Sequence, residues 1–159
     1  MSDNSMMTKA GLWLQAIRPR TLLLGVTPVF AALLLALSDQ GTLSPLVALA
    51  TLLAAAGIQI GTNLHNDAVD FERGTDTAER QGPPRASAQG WFTSTQVKRA
   101  AHLAFLGSFL LGILLVIHGG WPILALGLVS IAAGYAYTSG PRPIAYGPFG
   151  EVFALLFFG

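Results

Sequence analysis

"LSPLVALATLLAAAGIQIGTNLHNDAVDFERGTD", residues 43–76, begins as an uncharged apolar run and ends as an acidic one. Crossing the hydrocarbon core of a bilayer takes roughly 20 apolar residues in a helix. The segment from about Leu43 to Leu64 supplies them, and no charge occurs between Gln40 and Asn66. Membrane helices commonly close on snorkelling Lys or on aromatic anchors. This one closes on Asn63, Asn66, Asp67 and Asp70, with Asp76 beyond.

The remainder of the chain repeats the apolar pattern. Of its 159 residues, 52% are hydrophobic and 11% charged, with a mean hydropathy of +0.56. A soluble domain carries about 25% charged residues, so the composition argues against the soluble class. With no cysteine, disulfides and thiolate metal sites are excluded too, and the redox compartment is unreadable. Thr21 to Ser38 forms an uncharged span in which Pro28 is expected to kink the helix. Ala100 to Pro141 contains no acid, Lys or Arg and is divided by His118-Gly119-Gly120-Trp121-Pro122, which makes it an antiparallel pair. A fifth apolar run opens at Val152, too short to cross a bilayer before Gly159. The expectation is an all-α polytopic transmembrane bundle of four complete spans and the start of a fifth. Residues 1–159 then form the N-terminal part of one membrane-embedded domain, the front of a longer protein. Trp13 and Trp121 are expected at the membrane interfaces.

All nine Lys and Arg residues fall on one side of these spans. Lys9, Arg18 and Arg20 precede the first. Arg73, Arg80, Arg85, Lys98 and Arg99 lie between the second and third, and Arg142 follows the fourth. The positive-inside rule makes that side cytoplasmic, together with the N-terminus and the acidic loop. A cleaved signal peptide is the rival reading of residues 1–37, but Ala36-Leu37-Ser38 is a poor cleavage site and further spans follow. No feature points to nucleic acid.

Continuing the second span as a helix places Asn63, Asn66, Asp67 and Asp70 on one stripe, with Gln59 one turn deeper. Gly74 is expected to end the helix and to leave Asp76 free to curl back. The bland reading is a solvated helix end. Against it, ionisable groups at a helix end in lipid usually face the bundle interior, and negative charge there opposes the helix dipole. Oxygen donors without Cys suit a hard divalent cation, and Mg²⁺ typically binds one or two carboxylates together with substrate phosphates. Arg73, Arg80 and Arg85 follow within fifteen residues of Asp70, and guanidinium groups suit phosphate oxygens. Acid followed by base at the mouth of an apolar bundle describes a receptor for an amphiphile with a phosphorylated head and a hydrocarbon tail.

"NLHNDAVDFERGTDTAERQGPPR" (63–85) resembles the first Asp-rich motif of the UbiA-type intramembrane aromatic prenyltransferases. The wording is closest to their 1,4-dihydroxy-2-naphthoate branch. "WLQAIRPRTL" (13–22), "VKRAA" (97–101) and "YTSGPRPIAYGPFGE" (137–151) fit the same branch, so the resemblance covers nearly the whole chain from Trp13. It implies a helical bundle in a bacterial inner membrane whose cavity opens toward the cytoplasm. It further implies that Mg²⁺ and a polyprenyl diphosphate bind at the motif. Carried over by position, Asn63, Asn66, Asp67 and Asp70 match the motif, and Asp76 and Arg80 lie in its continuation. Asp67, Asp70 and Asp76 are then the expected metal ligands. The family's second Asp-rich motif has no counterpart, since only Glu79 and Glu151 are acidic beyond Asp76. The fragment alone is therefore expected to be inactive.

The implied reaction moves a polyprenyl group onto 1,4-dihydroxy-2-naphthoate with loss of diphosphate and CO₂, giving demethylmenaquinone. Asp67, Asp70 and Arg80 are the expected catalytic residues; Asn63, Asn66, Arg85, Tyr137 and Arg142 are the expected substrate contacts. Arg18 and Arg20 read equally as topology signals or ligands, Lys98 and Arg99 as snorkelling cations, and His65, His102 and His118 as structural or solvated. Two rival functions stand: a cation-coupled transporter, whose site would sit nearer the bilayer midplane, and a prenyltransferase acting on another aromatic acceptor.

Overall fold

The computed structural model describes residues 8–76 and 82–158. The elements are α1 (Lys9–Ala16), α2 (Pro19–Gln40), α3 (Pro45–Glu72), α4 (Ser94–Gly119), α5 (Trp121–Thr138), a 3-10 turn (Ile144–Tyr146) and α6 (Gly150–Phe158). No strand occurs among the described residues, and α2, α3, α4 and α5 are each long and apolar enough to cross a membrane.

The sequence reading did not separate α1 from the first span. Proline explains the break: it disfavours the right-handed helical region for the residue before it and is pre-organised for a first helical turn. Arg18, just before Pro19, is the one described non-glycine residue with positive φ (57°), so α1 stops there and α2 starts afresh. Within α2, Pro28 removes one backbone donor, yet the helix continues through it; beside it, Thr27 Oγ1 donates to the Leu23 carbonyl at 2.7 Å. Gly41 (φ 71°) closes α2, and Gly120 (φ 71°) makes the break between α4 and α5 inside the divider expected from sequence. Thr93 and Gln96 form a reciprocal capping box at the start of α4.

The 28 residues of α3 span roughly 42 Å at 1.5 Å per residue. A hydrocarbon core is about 30 Å thick, so two or more turns of α3 stand clear of it. The helix caps at Arg73, beside Gly74 (φ 69°), close to the expected stop.

α3 is the spine, packing on α2, α4 and α5, and most extensively on α4. Small residues permit the close approach. A Cβ on Gly61 would stand 2.7 Å from the Phe105 ring, and one on Gly134 would stand 2.6 Å from Thr62 Oγ1. Such small-residue contacts are the usual device for helix packing in lipid, where no hydrophobic drive separates helix from solvent. At the acidic end a core of Ala16, Leu64, Ala68, Ala86, Val97 and Ala101 joins α1, α3, α4 and the connecting loop. Trp13, expected at the interface, stacks there on Phe92 with centroids 4.0 Å apart. At the opposite end Ala50, Ala54 and Leu115 form a smaller core, and Trp121 is exposed. α2 has no buried residue, and its Leu23, Leu34 and Leu35 are exposed. Because the 41–44 and 120 connections are short, the helices alternate in direction. The described Lys and Arg residues therefore gather at the end of the molecule where α3 finishes.

Gly61→Ala is expected to lower the melting temperature in detergent by several degrees, since overpacking a filled contact costs about 1–3 kcal/mol. Gly112→Ala, where a Cβ meets nothing within 4 Å, is the control and should match the parent. Equal melting temperatures for the two variants would show that the α3–α4 contact at Gly61 is not close-packed.

Candidate active site

The last turns of α3 face a cavity of about 610 Å³. Gln59, Asn63, Asn66 and Asp70 line it along one side, at the i, i+4, i+7 and i+11 positions of a single helical face. Leu24 and Val29 of α2 and Ala133 of α5 supply apolar wall, and Arg18, Arg85 and Tyr146 bring polar groups to its rim. Apolar depth with polar groups gathered at one end is the lining an amphiphile requires.

Asp70 is the centre of the polar end. Its carboxylate accepts from Arg85 Nη1 on one oxygen and from the Tyr146 hydroxyl on the other. Arg85 Nη1 also donates to the Asn66 carbonyl at 3.0 Å, and Arg85 Nε lies 3.2 Å from Asp76 Oδ1. One guanidinium thus bridges two carboxylates, with all three side chains largely buried. Partial burial, and then the hydrogen bond to Asp70, hold the Tyr146 phenol above its ordinary pKa. Tyr146 therefore stays protonated and donates. The Thr75 amide and hydroxyl both close onto the Asp70 carbonyl, at 3.1 and 3.0 Å, which folds the chain back past the helix end and brings Asp76 to Arg85.

Asp67 is differently placed. It is 1% exposed and does not line the cavity. Its Oδ2 accepts the Ala86 amide at 2.7 Å and its Oδ1 the Ser87 amide at 2.9 Å.

The two asparagines join neighbouring helices to α3. Asn63 Nδ2 donates to the Ile17 carbonyl at 3.0 Å and to Thr21 Oγ1 at 2.8 Å, and its Oδ1 accepts from Gln59 at 3.2 Å. These bonds pin the α1–α2 break against α3. Asn66 Oδ1 accepts from Thr138 Oγ1, the last residue of α5. The remaining sequence candidates divide. Tyr137 lines the cavity, whereas Arg142 is exposed and does not. Arg80 lies outside the described residues. Arg18 lines the cavity rim. Arg73 donates to the Gly140 carbonyl at 2.9 Å and stands over the Tyr146 ring. Lys98 pairs with Glu72 at 2.5 Å in a partly exposed contact. His65 is buried and structural, its Nε2 2.6 Å from Ser139 Oγ and its ring edge-on to Tyr135. Tyr146 was not singled out by sequence reasoning. It sits on a single 3-10 turn after Pro143, where no periodicity marks a facing side chain.

Among the described residues no three His, Cys, Asp or Glu side chains come together in a cage. Asp70 and Asp76, separated by one guanidinium, offer two carboxylates instead. That donor set fits Mg²⁺ completed by water and phosphate oxygens, and does not fit an all-protein site.

Residues 25–159 match the model of the UbiA prenyltransferase family. The chain is 39% identical over 143 residues to the 1,4-dihydroxy-2-naphthoate octaprenyltransferase of Bacillus subtilis (strain 168), covering 90% of this chain and 45% of that protein. It is 37% identical over 153 residues to the protein of that name from Escherichia coli (strain K12), covering 92% and 49%. The one from Mycobacterium tuberculosis (strain ATCC 25618 / H37Rv) is 34% identical over 150 residues, with 92% and 50% covered. The chain spans about half the length of these curated relatives. No solved structure matches it. With its four potential spans and a match that runs from α2 through α6, the chain belongs to the UbiA prenyltransferase family.

Proposed function

We propose that this protein transfers a polyprenyl group from polyprenyl diphosphate to 1,4-dihydroxy-2-naphthoate, with loss of diphosphate and CO₂, giving demethylmenaquinone. The observation that carries the reading is the Asp70–Arg85–Asp76 cluster at the polar end of an apolar cavity between membrane-spanning helices. The naphthoate acceptor in the names of the relatives supports the choice of acceptor.

In this reading the prenyl tail lies along Leu24, Val29 and Ala133, and the diphosphate sits at the Asp70 end. Asp70 and Asp76 would hold Mg²⁺, which neutralises the leaving diphosphate when bound. Arg85 presents a planar, permanently charged fork to phosphate oxygens, and Arg80, five residues earlier in the chain, has the same role in this reading. Tyr146 keeps Asp70 oriented through a hydrogen bond donated by a phenol that stays neutral. The allylic carbon–oxygen bond breaks, its electron pair leaving on the diphosphate. The ring carbon that carries the carboxylate bonds to the allylic carbon, and loss of CO₂ returns that bond's electrons to the ring. The apolar wall keeps water from the allylic cation. Tyr137 on the cavity wall is positioned for the aromatic acceptor. Arg142, exposed where α5 has ended, meets either substrate only on approach.

Three measurements test this reading. The complete protein, in detergent with polyprenyl diphosphate and Mg²⁺, should prenylate 1,4-dihydroxy-2-naphthoate and release CO₂. Preference for 4-hydroxybenzoate would move the chain to another branch of the family. Arg85→Ala should lower kcat about 10²-fold, the scale for losing one electrostatic stabiliser, with poor rescue by Lys. A raised KM with kcat intact would make Arg85 a docking contact only. For orientation, we propose that the charged end is cytoplasmic. Single cysteines at the exposed positions Ser38 and Gly119 should then react with an impermeant maleimide on whole cells. One at the exposed Gln89 should react only after permeabilisation, and the reverse pattern would invert the topology.

A further inference from the structure

Asp67 lies in the motif beside the diphosphate-handling cluster, yet its geometry sets it apart. We infer that Asp67 is a positioning residue, which holds the 85–92 turn and through it Arg85, and that it does not ligate the metal. The inference rests on the functional reading above for what Arg85 does, but not for what Asp67 touches.

The Asp67 carboxylate takes two consecutive backbone amides, one on each oxygen. Consecutive amides on a single carboxylate are charge-assisted hydrogen bonds, roughly twice as strong as neutral ones. The turn they hold is compact. Gln89 N donates to the Arg85 carbonyl at 2.9 Å, Gly90 N to the Ser87 carbonyl at 3.1 Å and Trp91 N to the Ala86 carbonyl at 2.9 Å. Gly90 supplies the left-handed residue (φ 68°) that lets the chain return toward α4. Ala86 is fully buried against Leu64, Ala68 and Val97, so the turn is seated in the apolar core under the carboxylate. Arg85 immediately precedes the two held amides. With the backbone fixed at 86 and 87, its guanidinium reaches Asn66 and Asp70 on the adjacent face of α3. Drawing Asp67 toward a metal would strand two buried N–H groups, each costly to leave unmade. Asp67 is also outside the cavity lining that includes Asp70.

The test uses the complete protein with a thiol at position 87 as its single cysteine. Ser87 is 3% exposed, and its Oγ makes no hydrogen bond, so Ser87→Cys is a mild exchange. The thiol should react slowly with maleimide. Adding Asp67→Asn leaves one amide facing an NH₂ group, and the reaction should speed up about tenfold or more as the turn opens. In a second arm, Mn²⁺ affinity is measured by electron paramagnetic resonance with inorganic diphosphate present. Asp70→Asn should weaken binding at least about tenfold, while Asp67→Asn should stay within about twofold. In a third arm, Asp67→Asn should lower kcat in the parent but cause no further loss in Arg85→Ala, because a residue acting through another is not additive with it. A loss of Mn²⁺ affinity in Asp67→Asn equal to that in Asp70→Asn would overturn the inference. Should Asp67→Asn fail to fold, Ser87→Cys alone remains decisive. Mn²⁺ with inorganic diphosphate should leave its reactivity unchanged or reduced, whereas acceleration would show the carboxylate leaving the loop for the metal. Failure to prenylate naphthoate would sink the functional reading and leave the thiol arm intact.

Discussion

The structure turns on one constraint: polar atoms buried among membrane helices must find partners inside the protein, because neither lipid nor a closed core supplies them. The end of α3 carries Gln59, Asn63, His65, Asp67 and Asp70 in buried positions. Gln59 donates to Asn63 within the helix, and the others recruit segments outside it. Asn63 takes the α1–α2 break, and Asn66, less deeply buried beside it, takes the end of α5. His65 takes Ser139, just past the end of α5. Asp67 takes the loop before α4, and Asp70 takes Arg85 and the 3-10 turn. The polar end of the bundle is therefore organised by hydrogen bonding to one helix, while its middle is organised by small-residue contact with α4.

The Asp70–Arg85–Asp76 cluster is a poor stabiliser by itself. Desolvating three charged groups offsets much of their attraction, and buried ion pairs are weak evidence for stability. What the cluster does provide is order. A guanidinium held between two carboxylates keeps both ionised groups oriented toward one point, in a setting where the site need not reorganise when charge arrives. Phosphate oxygens are acceptors of the same geometry as carboxylate oxygens, so the fork that binds Asp70 is already shaped for them.

Much of this was legible in the sequence, for identifiable reasons. The spans follow from uncharged length, the α4–α5 break from two glycines before a Trp-Pro, and the end of α3 from Gly74. The helical period correctly grouped Gln59, Asn63, Asn66 and Asp70, which share the cavity wall. The same period could not separate Asp67, which sits one residue, or about 100° of helix, away from Asn66. A rotation of that size moves a side chain from the cavity to the α4 side, and what it meets there lies 19 residues on in a loop. Non-local partners of this kind leave no mark in spacing. The same holds for Tyr146, 76 residues from Asp70, and for the left-handed Arg18, whose Arg-Pro dipeptide marks a helix start but does not reveal the short helix before it.

The walls of the cavity are consequently unequal. α3 and α4 are interlocked by Gly57 and Gly61, where even a methyl group meets Ser108 or Phe105. α2 packs chiefly along α3, has no buried residue, and owes its seat to two kinds of contact near its start. Asn63 ties Ile17 and Thr21 from below, and Gly25 lets the Gln59 amide approach to 3.0 Å from where a Cβ would stand. Beyond Gly25 no hydrogen bond among the described residues ties α2 to another helix. Directional bonds thus fix the rim, where charges must meet oxygen atoms within tenths of an ångström. Non-directional contact lines the depth, which on the proposed function takes a flexible hydrocarbon that needs volume and dryness but no register.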